Sequence, residues 1–479
     1  MSYFGTIRRT MKYWLFVWAW SYVAGSACLS QQTPFDEYIQ RPDQNYRWSL
    51  VKNSDEPQAK SYVIELVSQA WRSEKDVDRT LWTHWLVVVV PKEVKWDTAL
   101  LLVSGGSNGD GVPSASSNAR AVADTAHAVV AELRMVPNQP LVFHQDGVPR
   151  KEDDLIGYCW DQFLKTGDPT WLPRLPMVKS VLRAMDAVQE FLASEAGGRL
   201  TIRKFVVAGG SKRGWTTWMA GASQDPRIAG IVPIVIDVVN VQRTMRNHVA
   251  AYGFWAEAIG DYVNHGIMQR WQDPRLQELY RIVDPYFYRQ RLRMPKLVLN
   301  AVGDQFFTPD SSQFYYDELP GPKLLRYVPN GDHSLRDTNA VQSLIAFFEL
   351  VAQGKPLPQY SWTFEPGGAI RLVTDEPVRS VVMWYGSNPE ARDFRVMTIG
   401  KAFRSEPLQP EPDGAYVARV SAPEKGWTAF LIEVTFDTPT SVPLIASSAV
   451  RIVPDVLPYA GIVPHQAPYE RQVREITNR

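Results

Sequence analysis

Three residues of this chain carry the side chains of a nucleophile, a base and an acid. They are Ser211, Asp304 and His333, and each follows an apolar run that predicts a strand. If these strands are parallel, their carboxyl ends lie at one edge of a sheet, and the three side chains meet there. In that arrangement His333 accepts the proton of Ser211, while Asp304 orients the imidazole and stabilises its charged form. The sequence therefore predicts a Ser-His-Asp triad.

The stretch from Lys204 to Gly221 predicts a strand, a tight turn and a helix, with Ser211 at the apex. A serine on such a turn projects its hydroxyl toward the first turn of the helix, where unpaired N–H groups favour a developing anion. The pattern G-x-S-x-G is imperfect, because Arg213 stands where the last glycine is expected and Gly214 follows one position later.

The predicted oxyanion hole combines the backbone N–H of Lys212 with one from the glycine-rich loop after Val103, at Gly106 or Ser107. Neither this loop nor the serine turn ends in the G-K-[ST] pattern that a nucleotide-binding loop needs. Lys212 and Arg213 also place two cations beside the nucleophile. They either hold an anionic substrate or oxyanion, or they are solvated or paired with local acids.

Asp237 is the alternative acid of the triad, because it ends the strand after Ser211 and lies at the same sheet edge. The candidate substrate contacts are Lys212, Arg213, Trp215 and Asp237. The charged block 150–154 is expected near this edge as well, where it is either a surface charge run or a substrate contact.

Composition narrows the range of functions. Lysine plus arginine equals aspartate plus glutamate, at 51 each, so no global positive charge points to nucleic acid. The two cysteines form no disulfide scaffold, and no His/Cys cluster has the spacing of metal ligands. We expect neither a metal nor another cofactor, and the oligomeric state is unknown from the sequence.

The first residues have the pattern of an export signal. Basic residues precede the apolar stretch from Tyr13 to Ala24, and a small-x-small cleavage pattern follows it. We predict that 1–27 is a signal peptide and that the protein is periplasmic or secreted. Two alternatives attach the protein to a membrane: an uncleaved leader, or lipidation of Cys28. A disulfide between Cys28 and Cys159 is formally open.

The length of 479 residues predicts two domains. Strands alternate with helices over 28–356, which predicts a mostly parallel sheet covered on both faces. An aromatic-rich insertion at about 238–295 is expected to be helical and to cap the pocket. Strands without helices follow over 357–479, and predict an antiparallel sandwich up to about Val453. Within this pattern we expect a helix at 118–133 and strands at 140–143 and 394–399.

With the triad in place, the sequence resembles the alpha/beta-hydrolase superfamily, and more closely the PhoPQ-activated pathogenicity-related family of exported bacterial proteins. The blocks that carry the resemblance are Glu152–Trp171, Leu175–Asp186, Ala208–Trp218, Val235–Asn240, Val302–Ser312 and Gly331–Arg336. The resemblance covers most of the chain. It implies a hydrolase-like fold and site, and leaves the substrate undefined.

A second likeness, to glucuronoyl esterases, rests on the basic residue directly after the serine, Lys212. It motivates the hypothesis that Lys212 or Arg213 assists an acyl group that bears a nearby anion. The first functional hypothesis is an exported serine hydrolase that cleaves esters of a small or polymer-derived acyl substrate through an acyl-enzyme. The alternatives are a serine peptidase of prolyl-oligopeptidase-like chemistry, and a binding or signalling protein on a hydrolase fold without turnover.

Overall fold

A computed structural model describes Met1 and residues 32–477 of the chain. The predicted signal peptide, apart from Met1, and Cys28 lie outside these described residues. Cys159 is buried and has no disulfide partner within the described ranges. None of the helices described is both long and apolar enough to cross a lipid bilayer.

The centre of the fold is a nine-stranded sheet in the order β1-β2-β3-β5-β4-β6-β7-β8-β9. Neighbours from β1 to β5 in this order are antiparallel, and those from β5 to β9 are parallel. This is the order of an alpha/beta-hydrolase sheet. The strands are β1 Arg47–Asp55, β2 Ala59–Ala70, β3 Leu81–Pro91, β4 Thr98–Val103, β5 Val130–Leu133, β6 Lys204–Gly210, β7 Ile228–Ile234, β8 Lys296–Ala301 and β9 Lys323–Val328.

The central strands are apolar throughout because both faces of the sheet are covered. Along β6, Phe205 and Val207 belong to one hydrophobic cluster, and Val206 and Ala208 belong to the cluster on the opposite face. The helices up to the end of this region are α1 Pro34–Gln40, α2 Ser117–Ala126, α3 Glu152–Thr166, α4 Arg174–Ala193, α5 Lys212–Ala222, α6 Val241–Tyr252, α7 Gly260–Asn264, α8 Pro274–Val283 and α9 Ala340–Ala352. Residues of α4 and α5 belong to the first cluster, and residues of α2 and α9 to the second.

The insertion between β7 and β8 is helical, as the sequence predicts. It contains α6, α7 and α8, with short 3-10 turns between them and before β8. Its side chains close one wall of a cavity beside Ser211, among them Val241, Met245 and Tyr280.

The C-terminal part forms two antiparallel sheets, one in the order β10-β11-β14 and one in the order β13-β12-β15-β16, with β17 paired to β15. The elements are β10 Ser361–Glu365, β11 Ala369–Val373, β12 Val378–Asn388, α10 Val396–Ile399, β13 Arg404–Pro407, β14 Tyr416–Arg419, β15 Trp427–Phe436, β16 Leu444–Ser447, β17 Arg451–Val453 and α11 Glu470–Thr477. The apolar core is continuous from α9 into these sheets, since Leu344, Ile370 and Phe430 share one cluster.

Three local predictions were wrong. The helix expected over 118–133 ends at Ala126, His127 adopts a left-handed conformation, and Val130–Leu133 is a buried strand. The strand expected at 140–143 is a loop with isolated bridges at Leu141 and Phe143. The strand expected at 394–399 is instead the short helix α10.

Candidate active site

Ser211 lies on a strained turn between β6 and α5, with φ 57° and ψ −127°. Two glycines make this turn sterically feasible. A Cβ on Gly209 would lie 2.8 Å from the carbonyl oxygen of Arg213, and one on Gly214 would lie 2.8 Å from that of Ile234. The close approach of helix and strand therefore needs glycine at 209 and 214, and leaves position 213 free for a large side chain.

The helix that follows Ser211 presents its first backbone N–H, that of Lys212, beside the serine. The second predicted donor lies in the loop after β4. The Ser107 N–H donates to Asp110 Oδ2 at 2.7 Å, so it is engaged within its own loop. Gly106 has φ 141°, and its N–H has no acceptor among the residues described. Of the two loop candidates, Gly106 is the one whose N–H is available for an oxyanion.

His333 and Asp304 lie in the loops after β9 and β8, and they contact each other. His333 Nδ1 is 2.8 Å from Asp304 Oδ2 and 3.0 Å from Oδ1. Asp304 is 3% exposed, and its Oδ1 also accepts the backbone N–H of Phe306 at 2.8 Å. The Phe306 ring packs on the imidazole, with 4.4 Å between ring centroids. Burial and packing therefore fix the imidazole in one orientation.

The other imidazole nitrogen of His333, Nε2, is buried and has no hydrogen-bond partner among the residues described. His333 and Ser211 line the same cleft. A buried ring nitrogen without a partner costs free energy, and it is ready to accept a hydrogen bond from a hydroxyl or a bound substrate.

Asp237, the alternative acid, belongs to a different group of side chains. Its Oδ1 accepts the Tyr315 hydroxyl at 2.6 Å, and its Oδ2 accepts the Tyr327 hydroxyl at 2.5 Å. Burial, together with the nearby charge of Asp304, raises the pKa of Asp237 to about 7. Asp237 is 2% exposed, and the acid that contacts His333 is Asp304.

The two cations after Ser211 are paired with acids at the start of α3. Lys212 Nζ is 2.8 Å from Glu152 and 3.1 Å from Asp153. Arg213 donates to both carboxylate oxygens of Glu152, at 2.6 and 2.8 Å, and to the Val136 carbonyl. Burial opposes ionisation of Glu152, but the hydrogen bonds and charges of Arg213 and Lys212 outweigh it and lower its pKa to about 2. Of the two interpretations that the sequence left open, pairing with local acids describes this arrangement.

A second cavity, with a volume of about 50 Å³, adjoins Ser211 on the side of the insertion. Its wall is mostly apolar and aromatic, and it includes Trp215. The Trp215 indole N–H donates to the Val283 carbonyl at 2.6 Å, which fixes the ring against the insertion. Among the residues described, no three His, Cys, Asp or Glu side chains converge as a metal site would require.

Sequence reasoning missed Arg174, Phe306 and Phe307, which line this cavity from α4 and from the loop after β8. Two phenylalanines shortly after Asp304 give a weak signal, because that loop lies at the edge of the sheet where Ser211 is found. Nothing in the spacing of Arg174 distinguishes it from a surface residue.

Residues 35–395 match the PhoPQ-activated pathogenicity-related protein family. The chain belongs to this family. It is also 38% identical over 466 residues to the autocrine proliferation repressor protein A of Dictyostelium discoideum, a match that covers 91% of this chain and 93% of the relative.

Solved structures with some similarity include two acetyl xylan esterases. One, from Thermoanaerobacterium sp., has a TM-score of 0.47 at 16% identity and covers 66% of this chain and 93% of its own. The other, from Paenibacillus sp., has a TM-score of 0.44 at 18% identity, and the match covers 64% of this chain and 90% of the esterase. An acylaminoacyl peptidase from Pyrococcus horikoshii has a TM-score of 0.37 at 14% identity, and the match covers 66% of this chain and 51% of the peptidase.

Proposed function

We propose that this protein is an exported serine hydrolase that cleaves carboxylic esters through an acyl-enzyme. One observation carries the proposal. The His333 imidazole is held by Asp304 at 2.8 Å, and its buried Nε2, in the cleft that Ser211 also lines, has no hydrogen-bond partner in the described part of the chain. A base that is oriented on one side and free on the other is what activation of a serine hydroxyl requires.

In this mechanism His333 Nε2 accepts the Ser211 proton as Ser211 Oγ attacks the ester carbonyl carbon. The oxyanion that forms receives hydrogen bonds from the N–H groups of Lys212 and Gly106. The tetrahedral intermediate collapses, His333 returns the proton to the departing alkoxide, and an acyl-Ser211 ester remains. Water then loses a proton to His333 and attacks the acyl carbonyl carbon. The bond from this carbon to Ser211 Oγ breaks, His333 returns the proton to Oγ, and the acid is released.

An ester is proposed rather than a peptide because of the domain order. In serine peptidases of the prolyl-oligopeptidase type, a large β-propeller normally precedes the catalytic domain. Here the β-sheets after α9 are small and follow it. Export is proposed from the basic and apolar pattern of 1–27.

A second candidate function is extracellular signalling by binding, without turnover. The observation that favours it is the 38% identity to a protein named for autocrine repression of proliferation. The Asp304–His333 pair and the strained serine turn favour catalysis instead, because a binding protein has no need to keep either.

The test is a panel of aliphatic esters and matched peptide amides, incubated with the purified protein and with Ser211→Ala and His333→Ala. We expect ester hydrolysis by the wild type, with kcat at least a thousandfold lower in both variants. Cleavage of amides but not esters would indicate a peptidase. The absence of any turnover by folded protein would favour the binding function.

A further inference from the structure

The first residue of α4, Arg174, is a buried cation in the wall of the cavity that Ser211 also lines. Arg174 is 3% exposed, and no carboxylate of the described chain lies within 4.0 Å of its guanidinium group. A buried charge without a counter-ion is costly, so protein interiors rarely keep one without a purpose.

One nitrogen of the guanidinium is used to fix its position. Nη1 donates to the Lys212 carbonyl and, at 3.2 Å, to Thr216 Oγ1. The guanidinium carbon also lies 4.8 Å from the centre of the Trp215 ring. Nε and Nη2 have no acceptor within the described part of the chain. Burial lowers the pKa of Arg174 to about 10, so the group stays charged at neutral pH.

The neighbouring acids are already engaged by other cations. Asp153, which also lines the cavity, lies 3.1 Å from Lys212 through Oδ2, and its Oδ1 accepts the Tyr262 hydroxyl at 3.1 Å. Glu152 is paired with Lys212 and Arg213. These ion pairs use Lys212 and Arg213 and no nitrogen of Arg174, so in the described part of the chain Arg174 has no carboxylate in direct contact.

The rest of the cavity suits a hydrocarbon chain. Its wall includes Trp160, Val238, Val241, Met245, Ile259 and Met268. A ligand that fills it would bury methylene groups against these side chains and present an anion to Arg174. Guanidinium binds a carboxylate through two parallel hydrogen bonds, and Arg174 has two unengaged nitrogens to donate them.

We propose that this cavity is a selectivity site for an acyl chain that ends in a carboxylate, with Arg174 as the residue that binds the anion. The substrate class is therefore a half-ester of an aliphatic dicarboxylic acid. The choice of an ester rests on the proposed hydrolase function, whereas the anion site does not depend on turnover.

The test compares monoethyl esters of succinic, glutaric and adipic acids, each beside its neutral monoamide of the same length. The readout is the ratio of kcat/KM for the acid to kcat/KM for the amide, because this ratio does not depend on the fraction of enzyme that is folded. The variants are Arg174→Met and Arg174→Lys. The matched control is Arg326→Met, which removes another buried arginine that does not line this cavity.

We expect wild type to favour the acid at one chain length at least, and Arg174→Met to lower the ratio tenfold or more. Arg174→Lys should restore part of the preference, and Arg326→Met should leave the ratio unchanged. An unchanged ratio in Arg174→Met, with ester turnover intact, would overturn the anion site and leave the hydrolase function standing.

A binding measurement separates the two proposals when turnover fails. Ser211→Ala protein should bind monoethyl adipate in a calorimeter at least tenfold more tightly than the monoamide, and adding Arg174→Met should remove the difference. Anion-selective binding without turnover by the wild type would refute the hydrolase and support the site. Equal binding of acid and amide would refute the site.

Discussion

The ion cluster next to Ser211 gives a prediction whose magnitude can be calculated from the structure. Glu152 accepts two hydrogen bonds from Arg213 and one from Gln139 at 2.6 Å. It also forms an ion pair with Lys212 at 2.8 Å. Glu152→Gln keeps the shape of the side chain and removes its charge. We expect the variant to be less stable, because Arg213 then lies buried without a counter-ion and Lys212 keeps only one.

The expected loss follows from the environment of these groups. Removing one partner of a fully buried pair costs roughly 3–5 kcal/mol, and an exposed pair contributes about 0–1 kcal/mol. The Lys212 and Arg213 side chains are 8% and 11% exposed, but that of Glu152 is 41% exposed. Water therefore screens part of the interaction, and Lys212 retains Asp153. We expect the free energy of unfolding to fall by about 2 kcal/mol.

The assay is urea unfolding at neutral pH, with Glu390→Gln as the matched control. Glu390 pairs with Lys425 at 2.7 Å, but the two side chains are 73% and 69% exposed. That substitution should change the free energy of unfolding by less than about 0.5 kcal/mol. Equal effects of the two substitutions would refute the interpretation that Glu152 anchors the turn that carries Ser211.

The effect of Glu152→Gln should also depend on pH. The folded protein lowers the pKa of Glu152 from 4.5 to about 2, so the carboxylate stabilises the fold fully above about pH 4.5. This stabilisation is lost as the pH falls toward 2. The difference between wild type and variant should therefore be constant from pH 5 to 7 and smaller at pH 3. A difference that grows on acidification would contradict the assignment.

Three further predictions concern other parts of the molecule. Asp304→Asn should lower kcat on the order of a thousandfold and Asp237→Asn less than tenfold, and the reverse order in steady-state kinetics would make Asp237 the triad acid. Arg395 is 3% exposed and pairs with two buried carboxylates. Arg395→Met should therefore lower the free energy of unfolding, measured by urea titration, by about 3–5 kcal/mol. A loss below about 1 kcal/mol would contradict this prediction. Burial raises the pKa of the Cys159 thiol. In the Cys28→Ser variant, Cys159 should therefore react with Ellman's reagent only after unfolding. Fast reaction of the native protein would refute the burial of Cys159.

The position of Ser211, Asp304 and His333 at one edge of the sheet could be predicted from the sequence because each of them has a local signal. Apolar runs that end in glycine, aspartate or histidine identify strand ends, and parallel strands bring such ends together. The prediction of a strand at 140–143 failed because Pro140 has no N–H to donate to a ladder, and only single bridges form at Leu141 and Phe143. The prediction of one helix over 118–133 failed because a buried strand of four residues has no distinct hydrophobic period, so its apolar residues resemble the end of a helix.

The cavity wall could not be predicted, because its residues come from separate elements. Arg174 begins α4, Trp215 lies in α5, and Phe306 follows β8. Their meeting depends on how the insertion packs over the sheet, and no short-range pattern encodes that packing. The acids that pair with Lys212 and Arg213 could not be predicted either. They belong to the block 150–154, some sixty residues away in the sequence, and that pattern is equally typical of a charged surface segment.

The central claim is that Ser211 is an activated nucleophile, and covalent labelling tests it most directly. The purified protein, Ser211→Ala and His333→Ala are each treated with a fluorophosphonate, then analysed by intact mass and peptide mapping. We predict one adduct on Ser211 of the wild type, none in Ser211→Ala, and labelling slowed at least a hundredfold in His333→Ala. No adduct on folded wild-type protein, or an adduct on a different residue, would contradict the account.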